Sequence, residues 1–273
     1  MNKIQQFLLA CGLALVAGTA AASSDGPRLD KPAADRLDAV SLQKGAQAYI
    51  SYCLPCHSAS FMRYGRLTDL GFKEEDIKAG FVPPGAKIGD TMGNAMKPAD
   101  AKAWFGALPP DLSVISRARG TEWLYTYLRG FYLDESKATG WNNLVFKDVG
   151  MPHVLWQLSG SATLVEKEFS SHGEAEAALA KTKSVAEVVE KHATGKDGKA
   201  SVKYLLRVVE PGKGAMQPDQ YDAFVADLVN FLDYLGEPAK NKRMALGYMV
   251  LAFLLVLFVF AYLLKREFWK DVH

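Results

Sequence analysis

Cysteine and histidine are scarce in this chain of 273 residues, which has three of the first and five of the second. Too few cysteines are present for a four-cysteine zinc site. A zinc site would need scattered histidines as its remaining ligands. The chain also lacks an excess of either charge, because 32 Lys and Arg residues are balanced by 30 Asp and Glu. Binding to a nucleic-acid backbone needs clustered positive charge, so no nucleic-acid partner is predicted. Since neither a Ser-His-Asp set nor a pair of carboxylates at a catalytic spacing is found, no bond-making catalytic residue is predicted.

The N-terminal residues 1–22 are predicted to be an export signal. A single lysine precedes an apolar run from Phe7 to Val16, and Ala20 with Ala22 fits a cleavage site of the A-x-A type. An uncleaved anchor helix and a lipoprotein signal cleaved at Cys11 are the alternatives. The segment does not have the Arg-rich, amphipathic pattern of a mitochondrial presequence, so we interpret it as a secretory signal to a bacterial periplasm.

A transmembrane helix is predicted near the other end, at residues 244–264. This segment carries no charge, and about 20 apolar residues are enough to cross a bilayer core as a helix. Tyr248, Tyr262 and Trp269 lie near its ends, and aromatic side chains are typical of membrane interfaces. A buried core helix, the alternative, would be shorter and would carry a polar stripe.

These two segments divide the chain. The export signal places residues 23–238 in the periplasm, a basic linker at 239–243 leads into the span, and residues 265–273 form a cytoplasmic tail. The expected protein is anchored by a single helix in the bacterial inner membrane, in contact with lipid. Within the periplasmic part, residues 166–201 are rich in charge and alanine, which predicts a solvated insertion with one or two helices.

The rest of the periplasmic part is predicted to be mainly α-helical. Apolar residues recur at helical spacing over residues 41–53, with Ser41 as the N-cap, and residues 111–130 have a similar pattern. A further amphipathic helix is predicted from about Asp219 to Gly236. Glycine and proline are frequent from residue 65 to 106, which indicates ordered loops.

The sequence "CLPCH" begins at Cys53 and has three interpretations: a redox dithiol, part of a zinc site, or a haem anchor. The βαβ pattern typical of a thioredoxin-like dithiol is not found around it. On a helical turn Cys53, Cys56 and His57 point to one side, so two thioether bonds can hold a haem while His57 binds its iron. Because the motif occurs once in an exported chain, we predict a c-type cytochrome with one covalently bound haem c.

Three further features follow this motif in a characteristic order. They are "GALPPDLSVISRARG", then "GMPHVLW", and finally a helix followed by one C-terminal transmembrane span with basic residues after it. The chain resembles cytochrome c1, the membrane-anchored haem subunit of the cytochrome bc1 complex, from about Ser41 to its C-terminus, apart from the insertion. CxxCH alone is common to many cytochromes, whereas "GALPPDLS" with "RAR" and the terminal span is much more specific. The resemblance implies a mainly α fold: a cytochrome c-type haem domain with loop insertions and one C-terminal transmembrane helix.

The resemblance also implies roles for three residues of the second motif. Pro109 and Pro110 would line the haem pocket, and Arg119 would pair with a haem propionate, for which its fork of donors is suited. The two prolines form a stiff corner without N–H donors, and Asp111 with Ser113 is expected to start the helix that follows. From the residues alone, a plain loop-to-helix junction is an equally good interpretation of the prolines, and the alternative for Arg119, as for Arg117, is a solvated helix face.

The second iron ligand has two candidates when the residues alone are considered, Met151 in "VGMPHV" and Met216 in "GAMQPDQ". Met216 comes shortly before the predicted C-terminal helix, as the ligating methionine does in small soluble cytochromes c. Met92 and Met96 are weaker candidates, and His153 would give a bis-histidine iron. The resemblance favours Met151, because in cytochrome c1 the ligating methionine is followed by proline and lies well before that helix. The predicted iron ligands are therefore His57 and Met151.

The function implied by the resemblance is one-electron transfer in ubiquinol:cytochrome c oxidoreductase. The expected partners are cytochrome b, the Rieske iron-sulfur protein as electron donor, and a soluble cytochrome c as acceptor. One alternative is a membrane-anchored cytochrome c that donates electrons to a terminal oxidase. Another is a haem sensor or peroxidase, which would need an open iron position in place of a second strong ligand.

Overall fold

The computed structural model describes residues 26–33, 38–194 and 200–270, so the predicted export signal lies outside the described residues. The helices are α1 (Ala39–Ala48), α2 (Glu74–Gly80), α3 (Pro98–Phe105), α4 (Ile115–Arg119), α5 (Thr121–Arg129), α6 (Trp156–Ser159), α7 (His172–Lys181), α8 (Pro218–Gly236) and α9 (Lys240–Phe268). The strands are β1 (Ala59–Arg63), β2 (Thr91–Met92), β3 (Phe131–Leu133), β4 (Trp141–Asn143), β5 (Thr163–Phe169), β6 (Ala186–Thr194) and β7 (Ala200–Glu210).

The closest helix contact in the core is between α1 and α8. Gly45 makes it possible, because a Cβ at this position would lie 2.0 Å from the carbonyl oxygen of Asp227 and 2.7 Å from Cβ of Phe231. Polar groups at the contact are paired: Ser41 Oγ donates to Asp227 Oδ1 (2.6 Å), and Asn230 Nδ2 donates to Ser41 Oγ (2.9 Å). Helices α4, α5 and α6 pack in turn against α8.

The start of α1 differs from the sequence prediction, since Ser41 is not its N-cap. Asp38 is the cap, and its Oδ1 accepts hydrogen bonds from the backbone N–H groups of Val40 (2.9 Å) and Ser41 (3.2 Å). The hydroxyl of Ser41 is instead used in the contact with α8. At its C-terminal end α1 continues into a π-helical turn, Tyr49–Cys53, which carries the first cysteine of the CxxCH motif.

The segment predicted as loops, residues 65–106, contains two short helices, α2 and α3, among its turns. It also contains most of a 3-10 helix, Tyr64–Leu70, and the strand β2, which pairs antiparallel with β1 so that Ala59 lies opposite Met92. Short helices of seven and eight residues give too few periodic positions to stand out between frequent glycines and prolines.

The segment predicted as helical, residues 111–130, is two helices, α4 and α5, separated at Gly120, whose φ of +88° suits glycine. Asp111 and Ser113 do not start the helix, because α4 begins at Ile115. The Asp111 carboxylate instead accepts from the backbone N–H groups of Ser113 (2.8 Å) and Ser60 (2.9 Å). These two bonds tie the turn after the proline pair to strand β1.

The predicted insertion, residues 166–201, contains one helix, as expected, but the rest of its described residues are mainly β-structure. Residues 160–214, called the insert below, form an antiparallel sheet of order β5-β7-β6 with one helix, α7. Neighbouring residues of β7 face opposite sides: Val208 packs towards α7, and Val209 packs towards Leu144 and Tyr132 outside the insert. The strands were missed because their charged residues come in runs, such as Glu166 to Glu168, and do not alternate with apolar ones as in a half-buried strand.

The insert leaves and rejoins the rest of the chain at one place. Ala215 N donates to Gln157 O (2.9 Å), and Met216 N donates to Leu158 O (3.0 Å). Glycine is needed there, because a Cβ at position 214 would lie 2.2 Å from the carbonyl oxygen of Leu158, and one at Gly160 would lie 2.5 Å from backbone carbon atoms of the returning segment. These two backbone segments form a neck between the insert and the helical core.

Within the described part of the chain, one helix, α9, is long and apolar enough to cross a membrane. Its candidate span is 242–268. It is longer than the predicted span of 244–264, because the predicted linker is largely its first turn. Ion pairs bridge the junction: Lys240 Nζ lies 3.3 Å from Asp233 Oδ2, and Arg243 Nε lies 2.5 Å from Glu237 Oε1. The apolar side chains that follow are exposed, as lipid-facing residues of a single span would be.

Candidate functional site: a cavity around the CxxCH motif

A cavity of about 370 Å³ lies between the CxxCH motif, α5, α8 and the loop that connects β4 to α6. This loop, residues 144–155, is called the Met151 loop below. All seven residues predicted to contact the cofactor belong to the cavity wall: Cys53, Cys56, His57, Pro109, Pro110, Arg119 and Met151. The structure thus brings together side chains that are up to 98 positions apart in the sequence.

The CxxCH motif forms a tight turn at the end of α1. Cys56 N and His57 N both donate to the carbonyl oxygen of Cys53, at 3.1 and 2.8 Å. Tyr49, fully buried, donates from its hydroxyl to the carbonyl oxygen of His57 (2.8 Å) and so fixes the end of the turn. Both cysteines are free and, with His57, lie on the cavity wall as a covalent haem attachment requires.

The thiols do not have the properties of a redox dithiol. Burial raises the pKa of Cys56, and burial together with the neighbouring Cys56 raises the pKa of Cys53 to about 12. A catalytic dithiol needs a cysteine with a lowered pKa, because the thiolate is the nucleophile. The raised pKa values of Cys53 and Cys56 therefore argue against a redox dithiol.

His57 is oriented by the proline pair. Its Nδ1 lies 2.7 Å from the carbonyl oxygen of Pro110. A carbonyl oxygen can only accept, so Nδ1 carries the proton and Nε2 keeps a free lone pair, which is the arrangement a metal-binding histidine needs. Burial also lowers the pKa of His57 and favours the neutral ring. Asp111, which follows Pro110, holds this turn in place through Ser60 and Ser113.

Arg119 stands at the cavity wall above aromatic rings. Its guanidinium carbon lies 5.0 Å from the ring centre of Trp123 and 5.9 Å from that of Phe146. Among the described residues no carboxylate is paired with it, so its fork of donors is free for a carboxylate of a bound cofactor. A haem propionate fits this position, and the predicted role of Arg119 stays a prediction that this geometry supports.

Met151 lies in the second half of its loop and lines the cavity together with Val149, Gly150 and Pro152. The hydroxyl of Tyr127 donates to Met151 Sδ at 3.3 Å. Tyr127 itself stacks on Trp123, with ring centres 4.8 Å apart. The thioether is therefore held at the cavity rather than packed at random in the core.

The competing ligand candidates lie elsewhere. Met216 and His153 line a second, smaller cavity of about 110 Å³ between the helical core and the insert. His153 Nε2 is already bonded to Ser159 Oγ (2.8 Å), and burial lowers the pKa of His153 to about 4. Neither Met92, which is fully buried, nor Met96 belongs to the wall of the large cavity. The geometry supports the assignment of Met151, which remains a prediction.

Several wall residues were missed by the sequence analysis. Trp123, Leu124, Tyr127 and Leu128 present one face of α5 to the cavity, and Leu228 and Leu232 do the same from α8. The spacing of four residues between Trp123 and Tyr127 was a detectable signal, because such pairs share one helix face. The backbone role of Pro110 had no signal, since a carbonyl oxygen is common to every residue type.

The cavity fits haem c by three observations. Two free cysteines and a histidine with a free Nε2 lie on one wall, a thioether lies on the wall as well, and a cation without a carboxylate partner in the described part of the chain stands beside them. The remaining wall is mostly apolar and aromatic, as a porphyrin ring requires. The set of donors is that of a His/Met cytochrome c.

The chain is similar to a family of known proteins. A model described as the Cytochrome C1 family matches residues 30–159 and 215–272. The ammonia monooxygenase gamma subunit of Nitrosomonas europaea is 43% identical over 273 residues, which cover all of both chains. The cytochrome c1 of Allochromatium vinosum is 40% identical over 271 residues, 99% of this chain and 100% of the relative, and that of Rhodospirillum rubrum is 28% identical over 98% of each chain.

The matched segments contain all seven predicted site residues and omit residues 160–214, which coincide with the insert. The match therefore covers the cavity, α8 and the candidate membrane helix, and the mainly α fold and the haem c predicted from the sequence are confirmed. The chain belongs to the cytochrome c1 family, the haem c electron-transfer subunits of the cytochrome bc1 complex.

Proposed function

We propose that this chain accepts one electron at a time from the Rieske iron-sulfur protein and passes it to a soluble cytochrome c, beside cytochrome b in ubiquinol:cytochrome c oxidoreductase. The observation that carries this proposal is the convergence of Cys53, Cys56, His57 and Met151 on one cavity. Haem c bound there supplies an iron atom that takes up and releases one electron. The residues of the chain hold it, orient its ligands and exclude water.

Each proposed contact has a distinct task. Cys53 and Cys56 would hold the ring by thioether bonds, and His57 and Met151 would supply the iron ligands. Pro110 fixes the His57 ring through its carbonyl oxygen (2.7 Å), and Pro109 and Pro110 stiffen the wall without adding N–H donors. A thioether ligand disfavours ferric iron relative to a second imidazole, which suits a donor to cytochrome c.

The number and attachment of haem groups test the cofactor site. We expect one haem per chain by a pyridine haemochrome assay, and we expect it to stay with the denatured protein through acid-acetone extraction, because two thioether bonds hold it. Cys53→Ala or Cys56→Ala should remove one of these bonds and lower the yield of holoprotein. Haem that is extracted from the denatured wild-type protein would contradict covalent attachment.

Helix α9 is proposed to anchor the haem domain on the periplasmic side of the inner membrane, in contact with lipid. Truncation before Met244 should release a soluble, haem-containing domain into the periplasm, because the apolar part of α9 is removed while α8 and its ion-paired junction with α9 are kept. The full-length chain serves as the control and should stay in the membrane fraction. A truncated chain that stays in washed membranes without partner subunits would show that the anchor lies elsewhere.

The partners are tested by purification of the full chain in mild detergent. Cytochrome b and the Rieske protein should be recovered with it, in a complex that reduces soluble cytochrome c with quinol. The name of the Nitrosomonas europaea relative suggests a different assembly, with a monooxygenase. Recovery of monooxygenase subunits, or of a terminal oxidase, in place of cytochrome b would overturn the proposal.

A further inference from the structure

We propose that the insert braces the Met151 loop from outside and so positions Met151 at the haem cavity. The family model does not match this segment, so the comparison assigns it no role. The proposal rests on the proposed ligand role of Met151. It is carried by two contacts between the insert and the loop, one apolar and one polar.

The apolar contact joins the start of the Met151 loop to one face of the sheet. Leu144, the first residue of the loop, is only 2% exposed and forms a buried cluster with Ala162, Val185 and Val209 of the insert. The next loop residue, Val145, packs against the same cluster. Burial of this leucine therefore depends on the insert, and removing the contact would expose it to water.

The polar contact centres on Glu187, a carboxylate whose side chain is 2% exposed. Its Oε1 lies 3.4 Å from Arg207 Nη1 within the insert and 3.6 Å from Lys147 Nζ in the Met151 loop. A buried carboxylate is costly unless it is paired with positive charge. Lys147 is thereby drawn towards the sheet, four residues before Met151.

The opposite side of the same loop forms the haem cavity. Phe146, Val149 and Met151 line it, while the backbone N–H groups of Val145 and Phe146 donate to Asn143 Oδ1 at 2.9 and 3.1 Å. The loop is thus a thin layer between the cavity and the sheet. A loop that is held on one side only is more mobile than one held on both sides. Loss of the contact with the insert is therefore expected to make the Met151 side chain more mobile at the cavity.

Strand β7 provides a matched pair of variants, because the neighbours Val208 and Val209 are both buried and face opposite sides of the sheet. Val209→Ala should weaken the ferric sulfur-to-iron band and lower the midpoint potential of the haem. Hydrogen exchange at the amides of Val145 and Phe146 should become about tenfold faster, the loss expected for a small cavity next to the loop. Val208→Ala, which opens a cavity on the α7 side, should leave all three unchanged.

A second pair tests the polar contact without risk to folding, since both lysines are more than half exposed. Lys147→Met removes the pair with Glu187, whereas Lys203→Met removes a pair with Glu168 (2.6 Å) on the same sheet, away from the loop. We expect Lys147→Met to lower the midpoint potential of the haem, as Val209→Ala does, but by a smaller amount. Lys203→Met should leave the potential unchanged. Val209→Ile, which keeps a β-branched apolar side chain at the contact, should keep the wild-type band and potential.

The outcomes separate this proposal from the ligand assignment. If the wild-type protein has no sulfur-to-iron band, the proposed role of Met151 fails first. If the wild-type band is present and both members of each pair behave alike, the insert does not brace the loop and the proposal is wrong. A Val209→Ala chain that yields no holoprotein while Val208→Ala yields it normally would support the brace, because the two cavities are matched in size.

Discussion

Met151→Leu should abolish the weak sulfur-to-iron band that a ferric His/Met cytochrome has near the red end of the visible spectrum. Leucine fills a similar volume but has no sulfur, so the fold is kept and the iron loses its thioether ligand. The midpoint potential should fall by on the order of 100 mV, a fraction of the roughly 0.8 V that axial ligation spans. Quinol-dependent reduction of cytochrome c by the complex should stop, because the haem becomes too weak an oxidant for its donor.

Met216→Leu is the matched control for this substitution. Met216 lies in the smaller cavity beside the insert and packs against the core, so its replacement should leave the band and the potential in place. The opposite pattern, with the band lost in Met216→Leu and kept in Met151→Leu, would transfer the ligand role to Met216. Visible spectra and redox titration of the truncated, soluble domain are sufficient to distinguish the two.

Gly45→Ala is expected to have the largest effect on stability. Its methyl group would lie 2.0 Å from the Asp227 carbonyl oxygen and 2.7 Å from the Phe231 side chain, so α1 and α8 must separate. We expect the free energy of unfolding to fall by about 3 kcal/mol or more, against which the better helix propensity of alanine returns only about 1 kcal/mol. Denaturant titration of the soluble domain, followed by haem absorbance, measures this change.

Gly173→Ala is the control for helix propensity. Gly173 lies in α7, and a Cβ there would meet no other atom within 4 Å. This variant should therefore keep the wild-type unfolding midpoint or raise it slightly. Equal stability of Gly45→Ala and the wild-type chain would show that α1 and α8 do not pack as closely as described.

The sequence was sufficient wherever one local pattern decides the structure. Helix α8 was predicted from its apolar face, and the CxxCH turn from three residues that must act together. The choice of Met151 over Met216 needed the resemblance to cytochrome c1, because spacing alone made the two nearly equal. Their separation into two cavities depends on tertiary folding.

Two of the failures share a physical cause, which is that the deciding partner is distant in sequence. Ser41 has the chemistry of an N-cap, but α8 provides it with a buried partner and Asp38 takes the cap. The carbonyl oxygen of Pro110 becomes important only when the fold places His57 against it. The strands of the insert, in which β7 pairs with both β5 and β6, were missed because their high charge resembles that of a solvated helix.

The neck at Gly160 and Gly214 has a consequence for the kinetics of folding. Closing a long loop costs entropy that grows with the logarithm of its length, and contacts between distant residues slow the search for the native state. Because the neck places Leu158 beside Met216, the sheet can form from its own hairpin contacts and close this loop before α8 docks. Once the insert has formed, α6 and α8 are joined almost directly across the neck. The helical core then folds as if the chain between α6 and α8 were short.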